Sequence, residues 1–414
     1  MQLKNRTLRR QLSLATCALL TGIPGQASSA DWVVDAGVMS YSESDRVSAV
    51  KTIATGQRLT EETTISVTVL VDTLTGASPN GASAATTSQT FTTASGTAYT
   101  ATEKETPLRD FEDTRTAISS SWEQVLNRLF RLKLGADIST EDDYDSLGLN
   151  ASLSRDFNNR LTTVTVGAAI TQDTITPSGG TPVERSATDG TTLAIQSKEE
   201  EKSTTDLLLG VTQILSRTTL TQLNYSYSLV DGYMSDPYKI VSEVDAVTGN
   251  TTGYRYEKRP DSRIRQSVNW TTAHHLTEDV VHFTYRYFWD DWGIDSHTFD
   301  LKYRYEIGAG HYLQPQVRYY MQSAADFYRH SLVDSEVLPN YLSSDQRLGE
   351  MSSYTIGLKY GFPVFTDGRL SLRIAYMQQS GDSSPSDAIG SQKQVDLFPT
   401  LEAMIVNVNF NIPF

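Results

Sequence analysis

Apolar and polar residues alternate strictly along many short stretches of this chain. In the clearest stretch, Phe299, Leu301 and Tyr303 are separated by Asp300 and Lys302. A period of two is the signature of a β-strand with one apolar face and one polar face. A charged residue between each pair of apolar ones excludes a strand that is buried on both faces. The pattern therefore predicts an all-β protein.

Sixteen stretches of this kind are predicted as strands. They cover 32–43, 46–55, 61–73, 115–125, 128–141, 144–156, 160–172, 204–215, 217–230, 261–273, 279–290, 295–307, 311–323, 351–362, 369–379 and 401–413. Even-numbered connections are all short, whereas the long connections are all odd-numbered. Such sorting is typical of an outer-membrane barrel. We predict a transmembrane antiparallel β-barrel of about sixteen strands, with short periplasmic turns and long extracellular loops.

The C-terminal stretch over 406–414 alternates without interruption and ends on an aromatic residue. Phe410, Ile412 and Phe414 lie at every second position. This resembles the C-terminal signal by which the barrel assembly machinery recognises Gram-negative outer-membrane barrels, so we interpret these three residues as an assembly signal. Outer-membrane lipid and the assembly machinery are the expected partners. A soluble β-sandwich or solenoid would explain the alternation but not the sorting of the connections.

The N-terminus has the pattern of an export signal. Four basic residues within the first ten positions precede an apolar run over 12–23, and small residues follow at 27–30. This is typical of a signal peptide, so residues 1–30 are predicted to be cleaved and 31–414 to form a single barrel in the outer membrane. Cys17 is the only cysteine, and the stretch before it is a near match to a lipoprotein cleavage box with an unfavourable Thr16.

Charge and motifs exclude several classes of function. Cleavage of 1–30 would remove four basic and no acidic residues and change the formal charge from −14 to −18. An acidic chain is not expected to bind nucleic acid. The sequence contains no phosphate-binding glycine loop, haem-attachment motif or dinucleotide fingerprint, so no cofactor is predicted.

The inward faces of the predicted strands are rich in basic residues. The predicted lumen-lining cations are Arg131, Lys133, Arg263, Arg265, Arg286, Lys302, Arg304, Arg318, Lys359 and Arg373. The acidic positions identified there are Asp72, Asp137, Asp156, Asp300 and Glu306. Two interpretations stand: the cations pair with neighbouring carboxylates, or they line an aqueous channel and lower its barrier to anions. Such a barrel is wide enough for a channel unless something fills it.

The Ser/Thr/Ala-rich connection over 74–114 is a candidate to fill the lumen. A connection of this length is far beyond ordinary loop length. It is interpreted either as a constriction folded into the barrel or as a mobile extracellular loop.

One polar cluster over 288–297 contains candidate chemistry. Asp290, Asp291, Asp295 and His297 are candidate metal ligands, although their spacing matches no standard calcium or zinc motif. The alternative is a tight turn with solvated acids. Asp295, Ser296 and His297 are also the residue types of a hydrolase triad. Neighbouring residues of a strand point to opposite faces, however, so no catalytic residue is predicted and the chain is not expected to be an enzyme.

Four stretches resemble an uncharacterised family of Gram-negative outer-membrane β-barrels. They are 41–47, 72–82, 291–298 and 344–348, of which Asp-Thr-Leu-Thr-Gly-Ala-Ser-Pro-Asn-Gly-Ala over 72–82 is the most specific. The resemblance implies no activity and no catalytic residues. Members of the family are often accompanied by a small lipoprotein, a thioredoxin-like protein and a flavin transferase. The resemblance therefore implies a periplasmic lipoprotein or thioredoxin-like partner.

Three functions follow as hypotheses. The first is porin-like passage or export of small polar, possibly anionic, solutes through the basic lumen. The second is a barrel that serves as a sleeve or anchor for a periplasmic redox protein or lipoprotein and does not conduct. The third is an outer-membrane hydrolase.

Overall fold

The computed structural model describes residues 31–92, 98–188, 194–365 and 367–413. The predicted signal peptide, Cys17 and the terminal Phe414 lie outside these residues. No helix in the described part of the chain is both long enough and apolar enough to cross a membrane.

Sixteen strands form one closed antiparallel barrel. They are β1 Asp31–Glu43, β2 Val47–Leu59, β3 Thr63–Pro79, β4 Leu108–Val125, β5 Phe130–Thr140, β6 Tyr144–Phe157, β7 Thr162–Ile175, β8 Glu200–Ser216, β9 Thr219–Gly232, β10 Ser262–His275, β11 Val280–Asp290, β12 Asp295–Gly308, β13 His311–Gln322, β14 Met351–Val364, β15 Gly368–Gly381 and β16 Leu401–Pro413. Each strand pairs with the next, and β16 pairs with β1. The prediction of a sixteen-stranded antiparallel barrel is confirmed, and every predicted stretch overlaps one barrel strand.

Large apolar side chains cover the outside of the barrel. Leu134 and Ile138 on β5 are 41% and 58% exposed, and Leu147, which pairs with Ile138 on β6, is 53% exposed. The residues between them face the lumen because successive side chains of a strand point to opposite sides. An exposed apolar outer surface on a closed barrel is the arrangement that lipid requires. The protein is therefore an outer-membrane β-barrel.

The two ends of the barrel differ in their connections. One end, which we call the turn end, holds Asp31, Pro413 and connections of two to four residues, such as 309–310 and 158–161. The tight reversals use the expected residues: Asn158 and Asn159 have φ of 49° and 54°. The opposite end, which we call the loop end, holds every long connection. In outer-membrane barrels the short turns are periplasmic.

The long connections carry short strands and turns of their own. The short strands are Gln89–Thr92, Ala98–Ala101, Thr181–Pro182, Ala187–Thr188, Ile195–Ser197, Ile240–Val244, Thr251–Tyr256 and Leu332–Val333. The 3₁₀ helices are Asn158–Arg160 at the turn end, and Gln346–Leu348 and Gly390–Gln394 at the loop end.

The five long loops pack together into one layer, which we call the cap. It comprises the described residues of 80–107, 176–199, 233–261, 323–350 and 382–400. Buried apolar clusters join separate loops, for example Val241 with Leu342 and Ala84 with Leu397. Val241 and Leu342 are both completely buried. The cap therefore has its own small hydrophobic cores.

Contacts between distant loops place the cap across the mouth of the barrel. The Ile240 amide donates to the Asn80 carbonyl at 2.9 Å, and the Lys258 amide donates to the Leu342 carbonyl at 2.9 Å. The Ser83 hydroxyl donates to the His330 carbonyl. These loops follow β3, β9 and β13, which are four to six strands apart around the ring. Because a ring of this size is roughly 30 Å across, such contacts can form only over the opening.

The segment predicted as one long connection over 74–114 divides into two parts. Strands β3 and β4 extend as a paired ribbon, in which Thr73 to Pro79 align with Leu108 to Thr114. The described residues of 80–107 between them belong to the cap. Gly76 is a turn-forming residue type, so the sequence pattern predicted that β3 ends before it. In the structure Gly76, with φ of 132°, remains in the strand and pairs with Val47.

Candidate functional site

The structure places all ten predicted lumen-lining cations on the inward faces of the strands. Arg318 illustrates the geometry, because its neighbours Val317 and Tyr319 are 53% and 43% exposed on the outside. Alternation then directs Arg318 into the lumen. The same pattern holds on β5, where Arg131 and Lys133 alternate with the outward-facing Leu134.

Eight of these cations lie on six consecutive strands, β10 to β15. We call these eight residues the basic wall: Arg263, Arg265, Arg286, Lys302, Arg304, Arg318, Lys359 and Arg373. The inward carboxylates on the same strands are Asp290, Asp300 and Glu306.

Three residues of the basic wall pair with those carboxylates. Arg263 binds Asp290, and Arg304 binds Glu306. The Lys302 ammonium lies 3.4 Å from the carboxylate of Asp300. For these three cations the interpretation as wall-stabilising ion pairs applies.

The other five have no carboxylate within 4.0 Å among the described residues, and we call them the unpaired cations: Arg265, Arg286, Arg318, Lys359 and Arg373. Arg265 donates to the Ser228 hydroxyl at 2.8 Å. The Arg286 guanidinium lies 5.4 Å from the centre of the Phe288 ring. Arg286 and Arg318 are solvent-exposed although they face inward. Water therefore reaches the lumen beside the basic wall.

Arg373 is held by amide oxygens instead of a carboxylate. Its guanidinium donates to the Gln316 side-chain oxygen at 2.9 Å and to the Asn407 side-chain oxygen at 3.1 Å. Gly357 lies beside this contact, where a Cβ would stand at van der Waals distance, 3.5 Å, from the Arg373 Nε and 3.0 Å from the Cβ of Ala375. Amide acceptors orient the guanidinium without cancelling its charge.

A cavity of about 480 Å³ lies in the lumen against the basic wall. Its lining residues are His282, Lys302, Lys359 and Arg373, with Thr271, Thr284, Gln314 and Gln316. These residues lie within six positions of the turn end on their strands. Three cationic side chains beside hydroxyl and amide groups can hold a small anion by charge-assisted hydrogen bonds.

The opposite part of the wall, β1 to β9, is richer in acids. Its inward carboxylates include Asp35, Asp72, Glu123, Asp137, Asp156, Asp173 and Asp206, and its inward cations include Lys51, Arg115, Arg131, Lys133 and Lys202. Arg131 pairs with Asp156 and Lys202 with Asp173, each at 3.2 Å. The acidic and basic parts face each other across the lumen.

This acidic part corrects one expectation from the sequence. The inward faces were expected to carry ten basic against five acidic positions, but the five acids Asp35, Glu123, Asp173, Asp206 and Asp290 also face inward, as do the three cations Lys51, Arg115 and Lys202. The excess of cations in the lumen is therefore smaller, and charge is sorted around the circumference instead. Strand alternation, applied to every acidic residue, would have found these positions.

The four candidate metal ligands do not converge, so the metal-site hypothesis finds no support in their geometry. Asp290 faces inward and binds Arg263. Asp291 accepts the Ile264 amide at 2.9 Å, Asp295 accepts the Tyr287 hydroxyl at 3.0 Å, and His297 lies 2.9 Å from the Tyr285 hydroxyl. No group of three or more potential ligands meets elsewhere in the described part of the chain.

The residues of the hydrolase hypothesis are also separated. Ser296 is 6% exposed on the inward face. His297 faces outward, where its ring stacks 4.9 Å from that of Tyr287. The two side chains therefore lie on opposite sides of the wall, as alternation predicted.

Sequence patterns did not predict an ionic cluster in the cap, most of which is buried, although the Arg347 side chain is 67% exposed. We define it as Asp236, Lys239, Glu257, Arg259, Asp345 and Arg347. The Arg259 guanidinium lies 2.6 Å from the Glu257 carboxylate and 2.9 Å from that of Asp345. Arg347 bridges Asp236 at 3.0 Å and Asp345 at 2.6 Å. The cluster connects the loop over 233–261 with the loop over 323–350.

Burial and charge oppose each other in this cluster. Burial alone would raise the pKa of Asp345, but Arg347, Lys239 and Arg259 outweigh it and hold this pKa well below its usual range. Burial raises the pKa of Glu257 despite the adjacent Arg259. The charged form of Asp345 is therefore stabilised by cations from both loops, including Lys239 and Arg259 from the loop over 233–261.

Three of the stretches that carry the family resemblance contribute contacts to the cap. Asn80 donates to the Tyr99 hydroxyl at 2.9 Å, and Gly81, with φ of 93°, lies against the Ile240 carbonyl. Trp292 packs in one buried cluster with Leu348. These stretches therefore determine how the mouth of the barrel is covered.

Comparison with solved structures gives distant similarities. The chain is similar to the monoaromatic hydrocarbon channel CymD, at 9% identity over 94% of this chain and 89% of that chain, with a TM-score of 0.42. It is similar to OccK2 (OpdF) of Pseudomonas aeruginosa in complex with glucuronate, at 8% identity over 94% and 100%, with a TM-score of 0.41. It is also similar to OpdK of Pseudomonas aeruginosa with vanillate, at 9% identity over 94% and 100%, with a TM-score of 0.41.

Comparison of sequences identifies the family. No curated protein matches the chain. A family model described as "Protein of unknown function (DUF3570)" matches residues 9–412, which is nearly the whole chain. The resemblance to an uncharacterised barrel family is thereby confirmed, and the chain belongs to the DUF3570 family.

Proposed function

We propose that the protein is an outer-membrane channel through which small anionic solutes pass along the basic wall. The observation that carries this proposal is the set of five unpaired cations on the lumenal side of β10 to β15. A cation without a partner is stable only where water or an anion compensates its charge. A wet wall of one sign lowers the barrier for the opposite sign.

Ion selectivity in a planar lipid bilayer tests this function. The full-length mature protein is inserted and the reversal potential is measured across a KCl gradient. We expect stable conductance steps that favour Cl⁻ over K⁺. The triple variant Arg318→Gln, Lys359→Gln, Arg373→Gln removes three unpaired cations and should lose most of this preference.

A matched control comes from the acidic part of the wall. The variant Asp72→Asn, Asp137→Asn removes charge from the same lumen but of the opposite sign, so it should increase the preference for Cl⁻. A conducting barrel with equal selectivity in all three proteins contradicts the proposal.

The cap favours a second candidate, a barrel that encloses or anchors a periplasmic lipoprotein or thioredoxin-like protein without conducting. Loops from distant parts of the ring meet over the mouth, as the bond between the Ile240 amide and the Asn80 carbonyl illustrates. A wild-type barrel that is silent in the bilayer, and that forms a stoichiometric complex with such a partner encoded beside it, would support this candidate over the channel.

A further inference from the structure

The cavity against the basic wall has the size and the charged lining of a small-molecule binding site. It is a recess of about 480 Å³, within the range of small-molecule pockets. Beside Lys359 and Arg373, the paired residues Gly357 and Ala375 add no long side chain to this part of the wall. Longer cationic side chains rise on both sides, with Lys302 on β12 and Lys359 and Arg373 on β14 and β15.

The positive charges of this recess outnumber its negative charges. Lys302, Lys359 and Arg373 contribute three positive charges, and Asp300, which lies 3.4 Å from Lys302, contributes one negative charge. The formal balance is two positive charges when His282 is neutral. A ligand with two negative charges would neutralise the recess.

A chain of hydrogen bonds sets the orientation of Arg373 and Gln316. The Gln316 oxygen accepts from the Arg373 guanidinium at 2.9 and 3.1 Å. The Gln316 amide nitrogen in turn donates to Asp300 at 2.5 Å. Both ends of the Gln316 side chain are thus used, which keeps Arg373 fixed but still charged. A preorganised cation loses less entropy when it binds an anion.

The lining also excludes other ligand classes. Apart from the imidazole of His282, the described residues that line the recess include no aromatic and no large aliphatic side chain. Thr271, Thr284 and Gln314 supply further hydrogen-bonding groups. The recess therefore suits a compact ligand that is polar throughout.

We propose that this recess binds a small dianion, whose two negative charges are shared among Lys302, Lys359 and Arg373. The shared chemistry is that of a short dicarboxylate or of inorganic phosphate. The inference deepens the proposed function, because it names the solute class that the basic wall would retain on its way through the lumen.

Calorimetric titration of the purified barrel in detergent tests the inference without requiring conduction. The probes are succinate and inorganic phosphate at about pH 8, where phosphate is a dianion, with acetate as the monoanion. We expect one saturable site for at least one dianion, with affinity about tenfold or more above that for acetate, as one additional charge-assisted contact supplies. The probe that binds more tightly shows whether the site prefers a short dicarboxylate or inorganic phosphate.

Gln316→Glu is the decisive variant, because it changes shape little but places a negative charge against Arg373. It should lower the affinity for the dianion about tenfold or more. Gln222→Glu is the matched control, since it adds the same charge to the lumen on β9 and should have little effect. Equal affinity for acetate and both dianions, or equal loss in the two variants, overturns the inference.

The outcome is distinguishable from failure of the proposed function. A barrel that binds a dianion but is silent in the bilayer contradicts the channel and retains the site. A barrel that conducts anions but shows no saturable dianion binding supports the channel and contradicts the site.

Discussion

The ionic cluster of the cap and the unpaired cations of the basic wall use the same residue types in opposite ways. In the cap, Arg259 is 12% exposed and contacts two carboxylates. In the lumen, Arg318 is exposed and has no carboxylate within 4.0 Å among the described residues. Burial forces the first set to pair with its own chain. Water allows the second set to remain without a carboxylate partner, so exposure to water decides whether a cation must pair with its own chain.

The largest effect is expected from removing Arg259, which would leave Glu257 and Asp345 buried without this partner. Loss of one member of a buried charge cluster costs about 3–5 kcal/mol. Arg259→Met should therefore open the cap and leave the barrel intact. Limited proteolysis within 323–350 measures the opening, and resistance of the barrel to unfolding in SDS monitors the strands.

Arg329→Met is the control for this variant. Arg329 pairs with Glu336 in the same loop, but their side chains are 40% and 36% exposed. An exposed pair contributes at most about 1 kcal/mol. Equal rates of proteolysis in the two variants would contradict a structural role for the buried cluster.

Acid should open the cap by protonating Asp345. Its folded pKa lies below that of an unfolded Asp, so its contribution to stability is full above about pH 4 and is lost as the pH falls below that value. Glu257 acts in the opposite direction because its pKa is raised, so its contribution falls as the pH rises. The fluorescence of Trp292, which packs against Leu348 in the cap, reports the transition. If the fluorescence of Trp292 does not change between pH 5 and strong acid, protonation of Asp345 does not open the cap.

A smaller effect is expected at Gly81. Its φ of 93° is strained for other residues, and a Cβ there would collide with the Ile240 carbonyl. Gly81→Ala should destabilise the cap by about 1–3 kcal/mol. Gly56→Ala is a control in the barrel, because a Cβ there meets no atom within 4 Å. Proteolysis of the cap should accelerate in the first variant and remain unchanged in the second.

The smallest effect is expected from single neutralisations in the basic wall. Arg286→Gln or Arg318→Gln should lower the anion preference about twofold, because a water-exposed charge acts through a high dielectric. Neither variant should change proteolysis of the cap, because the basic wall is separate from the ionic cluster of the cap. A cap that opens when Arg318 is neutralised would show that the two regions are coupled.

The barrel could be predicted from sequence because its signal is local. On β12, Phe299, Leu301 and Tyr303 alternate with charged residues, and no knowledge of distant contacts is needed to assign their faces. The same parity directs Arg286 and Lys302 inward. It also directs Asp206 and Glu123 inward.

The cap and the cavity could not be predicted in this way. Arg259 and Asp345 are separated by 86 positions in sequence, and neither lies in a periodic stretch. Arg373 and Gln316 are 57 positions apart in sequence, and only the assembled sheet brings their side chains together. The spacing of Asp290, Asp291 and Asp295 likewise did not predict that their side chains bind separate partners.

The sequence by itself determined a sixteen-stranded barrel and the faces of its strands, because period-two alternation is written into each strand separately. Only the tertiary structure decided which cations are paired and what covers the mouth. Ring closure fixes which strands face each other, and it brings loops from β3, β9 and β13 within hydrogen-bonding distance. These contacts join residues that are far apart in sequence, so they form only once the ring is closed.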